Sequence, residues 1–109
     1  MINTSGLVPC EFNIVIQQDK IEERTKGGLL KPGDTLEREK HAQTRGVIVA
    51  ISALAFNEDV WPKDQPRPEP GQRVAIARHS GVFVDGEDGN EYRVIKDKDV
   101  VALITALIG

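Results

Sequence analysis

Thr44-Arg45-Gly46-Val47-Ile48-Val49-Ala50-Ile51 decides the fold. Four of its last five residues are β-branched, the side chains that fit a pleated strand best. Strict alternation puts Val47, Val49 and Ile51 on one face and Ile48 and Ala50 on the other. The same period continues on either side. Upstream, Phe12, Ile14 and Ile16 alternate with polar or smaller neighbours. Downstream, Val74 and Ile76 alternate, then Val82 and Val84, then Tyr92 and Val94. Asp85-Gly86 and Gly89-Asn90 tolerate positive φ and predict a hairpin connection. Lys96 to Asp99 is a polar turn, and Val100 to Ile104 reads as a last strand. No helical stripe of convincing length is present, though Glu37 to Thr44 can form a turn or two. Six or so short strands, punctuated by Gly and Pro, predict an all-β domain over residues 1–109, a small, partly open β-barrel.

One connection is too long for such a barrel. Between the strand at Phe12 to Gln17 and the strand that begins at Gly46, residues 19–44 carry neither helix nor strand periodicity. Gly27, Gly28 and Gly33 loosen the backbone, and Pro32 blocks extension. Leu29-Leu30 stand alone among Glu22, Glu23, Arg24, Lys26, Lys31 and Asp34. A loop of this length in a compact domain is usually functional or disordered. Its isolated leucine pair reads as a hydrophobic bait that orders on a partner.

Composition narrows the functions. The chain has 109 residues, 14 Lys and Arg against 17 Asp and Glu, and a formal net charge of −3. It lacks a basic stripe with interleaved aromatics, which argues against nucleic acid as a partner. The single Cys10 excludes an intrachain disulfide framework and fits the reducing cytoplasm. Met1 to Pro9 carries no export or transit pattern. Val100 to Ile108 is too short to span a bilayer, so no membrane role is expected.

Catalytic constellations fail one by one. His41 and His79 sit in unrelated contexts without zinc spacing to Cys10. His79-Ser80-Gly81 lacks the nucleophile-elbow glycines. Asp85 to Glu91 lacks the glycine and bidentate Glu of a calcium loop. Gly27-Gly28 precedes no Gly-Lys-Ser/Thr. No metal, cofactor or enzymatic activity is expected. Pro62, Pro66, Pro68 and Pro70 crowd the region after Trp61, but no two are three apart, so the spacing of a Pro-rich ligand is missing. They read as a stiff connector into a strand at Arg73, and residues 53–70 as an exposed extension.

The ordered set resembles the GroES-type co-chaperonins, the ten-kilodalton lids of chaperonin rings. Pro9 with Asn13-Ile14-Val15-Ile16 looks like that family's first strand. Thr25-Lys26-Gly27-Gly28-Leu29-Leu30 is similar to its mobile loop, and Thr44 to Ile51 to its second strand. Pro70-Gly71-Gln72-Arg73-Val74 resembles the turn before the third strand. Ser80-Gly81-Val82, Glu91 to Ile95 and Asp97 to Ile104 follow in family order.

The resemblance implies a non-enzymatic co-chaperonin that caps a GroEL-type chaperonin ring and assists protein folding, with ATP bound by the partner. It implies a homo-heptamer in which the first strand, Asn13, Ile14, Val15 and Ile16, pairs with a neighbour's last strand, Val100, Val101, Ala102, Leu103 and Ile104. Gly27, Gly28, Leu29, Leu30 and Lys31 become the chaperonin-binding residues. Residues 53–70 become the roof hairpin, with Asn57, Glu58 and Asp59 near its tip. Three departures stand out. Lys31 occupies a normally aliphatic site, Phe12-Asn13 replaces Asp-Arg, and the roof segment is long and proline-rich. Such divergence is expected of a phage-encoded or otherwise specialised lid. The alternative is a structural β-barrel, a virion or scaffold component with the same fold and no chaperonin partner.

Overall fold

The computed structural model describes residues 3–19, 33–57, 61–62 and 64–105, the side chains of 33–37 excepted. Six strands are described: β1 (Asn13–Gln18), β2 (Arg45–Ile51), β3 (Arg73–Ile76), β4 (Val82–Asp85), β5 (Glu91–Lys96) and β6 (Val100–Ile104). They form one sheet in the order β4-β5-β1-β2-β3-β6, every neighbouring pair antiparallel. The end strands β4 and β6 do not pair with each other, so the barrel is open, as the sequence predicts.

β1 lies inside the sheet. It pairs with β5 on one side and β2 on the other, and Ile14, Val15 and Ile16 are all buried. The main core gathers Ile14, Ile16, Ile48, Ala55, Phe56, Val74, Ile76 and Ile95. A smaller cluster of Val15, Val49 and Tyr92, with Leu7, Ala50 and Val94 against it, covers the other face.

Strict alternation fails at one place in β2. The β1–β2 register shifts between Val15, opposite Ala50, and Ile16, opposite Ile48, so Val49 is the extra residue of a β-bulge. The bulge resets the faces. Ile48 and Ile51 both join the main core, while Val49 and Ala50 both join the smaller cluster. Gly46 is set by close approach: a Cβ there would stand 2.6 Å from Ile16 Cγ2 and 2.8 Å from the Gln18 Cα.

Helix α1 spans Gly33–Ala42, where the sequence pattern allows a turn or two beginning at Glu37. Leu36, Glu37, Arg38, Glu39, Lys40 and Ala42 have high helix propensity. They carry no apolar stripe, which is why periodicity does not reveal the helix.

The segment after β2 also departs from expectation. Among its described residues there is no strand between Ile51 and Arg73, hence no described roof hairpin, and its ends fold onto the core. Ala55 and Phe56 are buried, and Pro68 is among the fully buried side chains. Phe56 adopts φ 56°, a left-handed conformation costly for a bulky residue. Its amide donates to Asp97 Oδ2 at 3.0 Å, and its ring meets Trp61 edge-on at 5.2 Å. Trp61 Nε1 donates to the Pro66 carbonyl at 3.2 Å, and Arg67 Nη2 to the Ala55 carbonyl at 2.5 Å. The prolines thus lead a connector back across the core, and that connector enters β3 through Gly71 N to Ile48 O at 2.8 Å.

The β4–β5 turn is closed around a carboxylate. Asp88 accepts from Tyr92 Oη, from Asn90 N at 3.1 Å and from Thr4 Oγ1 at 3.0 Å. These bonds, the Tyr92 hydroxyl foremost, hold its pKa below the ordinary 3.8. A carboxyl depressed by folding stabilises the fold above its unfolded pKa, and that contribution is lost as pH falls through the lower folded value. Titration below pH 3.8 should therefore release Thr4 and the Tyr92 hydroxyl, read as shifts of their NMR signals that Asp88→Asn abolishes. Phe56→Ala should cost about 3–5 kcal/mol, the range for emptying a buried aromatic site, read as a lower urea midpoint; an exposed extension would show almost no change.

Candidate functional site

The loop residues Gly27, Gly28, Leu29, Leu30 and Lys31 lie outside the described residues, as do Glu58 and Asp59 of the roof. What is described is the place where the loop leaves the sheet, at the end of β1, and where the chain returns through α1. Both stems meet at one point. Asp19 N donates to Arg45 O at 2.9 Å, and Gln43 Nε2 donates to Asp19 O at 3.2 Å. The Asp19 carboxylate pairs with Arg73 on β3.

At the centre of this junction sits Arg93 of β5, fully buried. Its Nε donates to Ser80 O at 2.7 Å. Nη1 donates to Gln18 Oε1 at 3.1 Å and to Gln43 O at 2.9 Å. Nη2 donates to His41 O at 3.0 Å. The guanidinium also lies over the Phe83 ring, 5.4 Å from its centroid. Burial pulls the Arg93 pKa down, and the charge of Asp99 opposes that shift. These four acceptors are neutral carbonyl oxygens, and two of them close the C-terminal end of α1, where unpaired carbonyls would otherwise remain.

Other contacts hold α1 to the same place. His79 N donates to His41 O at 2.9 Å, so the two histidines that look unrelated in sequence are backbone partners. The His41 ring meets Phe83 edge-on at 4.9 Å. Lys40 Nζ pairs with Glu91 Oε1 at 2.8 Å and stands 5.0 Å from the Phe83 centroid. The sequence reading passes over Arg93, although a signal exists. Alternation through Tyr92, Val94 and Ile95 puts Arg93 on the face of the core residue Ile95, and a charge on an inward face needs a partner.

The strands expected at a subunit interface differ in what they leave open. Ile14, Val15 and Ile16 are paired on both sides within the chain. The expectation that Asn13 to Ile16 offers a free edge to a neighbour is therefore corrected: β5 and β2 occupy it. Among the described strands, β6, Val100 to Ile104, pairs with β3 alone and keeps its outer edge. Val101 is 65% exposed there, whereas Val100 and Leu103 pack against the main core. In the segment after β2, Asn57 Nδ2 donates to Leu54 O at 3.0 Å, and Asn57 O accepts from Trp61 N at 2.9 Å.

Comparison with known proteins agrees with this architecture. Residues 7–104 match the family model described as Chaperonin 10 Kd subunit. The chain is 32% identical over 101 residues to the co-chaperonin GroES of Chloroherpeton thalassium, covering 91% of this chain and 98% of that protein. It is 32% identical over 98 residues to the co-chaperonin GroES of Geobacillus thermodenitrificans, covering 90% and 98%. It is 28% identical over 96 residues to that of Clostridium novyi, covering 88% and 95%. The chain belongs to the chaperonin 10 kDa subunit family, the GroES-type co-chaperonins.

Proposed function

We propose that this protein caps a GroEL-type chaperonin ring in a nucleotide-dependent manner and so assists protein folding. The observation that carries the reading is the family match over residues 7–104, the span that contains the Gly27 to Lys31 loop. The gathered stems at Asp19 and Gln43 support it, because they present that loop from one point of the sheet. The lid is non-enzymatic, and ATP belongs to the partner. Its compartment is the cytoplasm. A virion or scaffold barrel without a chaperonin partner is not favoured, since the relatives above carry the co-chaperonin name along their whole length.

Leu29 and Leu30 are the anchors of this reading. Burying both contributes about 3–6 kcal/mol, while each loop residue fixed costs about 1–2 kcal/mol of backbone entropy. One loop alone binds weakly. A closed ring of about seven copies multiplies the effect through effective concentration, and weak single contacts let the lid leave. Lys31 sits beside the anchors, where Lys31→Leu extends the apolar surface. The open edge of β6 is the surface we assign to a neighbouring copy, because a free strand edge invites pairing and ring closure ends its growth.

Native mass spectrometry at micromolar concentration should show a closed species of about seven chains; a stable monomer contradicts the ring. The double change Leu29→Ala with Leu30→Ala should leave the melting temperature nearly unchanged and abolish pull-down by a chaperonin with ATP. Core leucines would behave oppositely, losing about 4–10 kcal/mol of stability. Lys31→Leu should strengthen pull-down and slow release.

A further inference from the structure

We propose that Arg93 is the positioning residue of the docking loop: one guanidinium joins the strand end that feeds the loop to the helix end that receives it, and so fixes where the loop projects. The inference rests on the lid reading above and assigns that site a determinant outside the loop.

Three observations carry it. First, the bonds of Arg93 are distributed over separate segments. Gln18 lies at the end of β1, His41 and Gln43 lie at and after the end of α1, and Ser80 lies in the turn before β4. A residue that served the core alone would not need acceptors on both sides of the loop. Secondly, the planar fork suits the task. Nη1 reaches both stems at once, Gln18 Oε1 at 3.1 Å and Gln43 O at 2.9 Å, so the two stems share one donor group and cannot separate without breaking a bond. Thirdly, the junction is reinforced independently of Arg93 by Gln43 Nε2 to Asp19 O at 3.2 Å and by the Asp19–Arg73 ion pair. The stems are therefore held by contacts that lie wholly among the described residues.

The physical consequence concerns entropy. A loop whose stems are fixed has fewer residues to order when it docks. Releasing a single backbone residue adds about 1–2 kcal/mol to the cost of docking, or about tenfold in affinity per loop. Loss of the clamp should thus weaken capture by the chaperonin although every residue of the bait is intact.

The test uses the whole protein with a chaperonin and ATP. Arg93→Met keeps the length and removes the fork, Arg93→Lys keeps the charge, and Gln18→Ala cuts the side-chain link from Arg93 to β1 while leaving Arg93 on its backbone carbonyls. The expected result is binding weakened by about tenfold or more, with ring mass retained and with amide hydrogen exchange accelerated at Asp19 and Gln43 but not along β1 and β5. Arg93→Lys should recover part of the loss. If Arg93→Met does not fold, Gln18→Ala decides alone. Unchanged affinity in that variant, or exchange accelerated across the whole sheet, overturns the positioning role. The Leu29→Ala, Leu30→Ala variant separates the two ideas. If the wild-type protein itself fails to bind, the lid reading has failed; if wild type binds and the leucine variant does not, yet the clamp variants bind normally, only the positioning proposal has failed.

Discussion

Everything in this domain depends on β1 being used on all four sides. Its two edges are taken by β2 and β5, and its two faces are buried in separate apolar clusters. A strand in that position has no polar backbone left to expose and no freedom to slip, since a one-residue shift would exchange the two clusters. The bulge opposite Val15 and Ile16 adapts β2 to this constraint. It lets two successive residues, Val49 and Ala50, face the same side, and so supplies both clusters from one short strand. Because β1 is internal, neither of its edges is open to a neighbouring chain, whereas the outer edge of β6 is left open among the described residues.

The strands were legible because their residues are locally consistent with a pleated surface. Val47 to Ile51, Val74 with Ile76, and Tyr92 with Val94 combine β-branching or aromaticity with period-two patterning, and Asp85-Gly86 with Gly89-Asn90 marks a hairpin by chemistry rather than by composition. The rest was hidden for identifiable reasons. A bulge leaves no mark in alternation, since its extra residue is as apolar as its neighbours. Helix α1 lacks an apolar stripe, and contacts at its C-terminal end tie it to the sheet. Residues 53–70 look exposed because prolines and charges dominate the count, yet Ala55, Phe56 and Pro68 are buried. Of the candidate site, Leu29 and Leu30 stand out in the sequence as an anomaly in pattern, whereas the junction of the two described stems does not. It is assembled from Gln18, His41, Gln43, Ser80 and Arg93, which are distant in sequence and meet only through topology.

That junction also explains a polar centre in an otherwise apolar domain. An isolated buried charge is costly, and an apolar side chain of similar volume is often as stabilising. A methionine in place of Arg93 would fill space but could not choose among neighbours. Arg93 is satisfied only when β1, the end of α1 and the turn before β4 arrive together, because each supplies a different acceptor. The Phe83 face and the carbonyls at the helix end stabilise the cation without a contacting carboxylate among the described residues. The bonds therefore carry directional information, whereas Coulombic attraction to one partner would bind that partner wherever it stood.

The same reasoning separates two demands that a docking loop places on its host. The bait has to be weak and apolar, so that it can be released. The base has to be rigid, so that weakness is not compounded by disorder. On the proposed reading, the two demands fall on different chemistry at different places: leucines in a glycine-containing segment for the first, and a buried guanidinium with neutral acceptors for the second. On that same proposal, a change at Lys31 would retune the partner contact without disturbing the sheet. Change at Arg93 cannot be so local, since its acceptors belong to the elements on both sides of the loop.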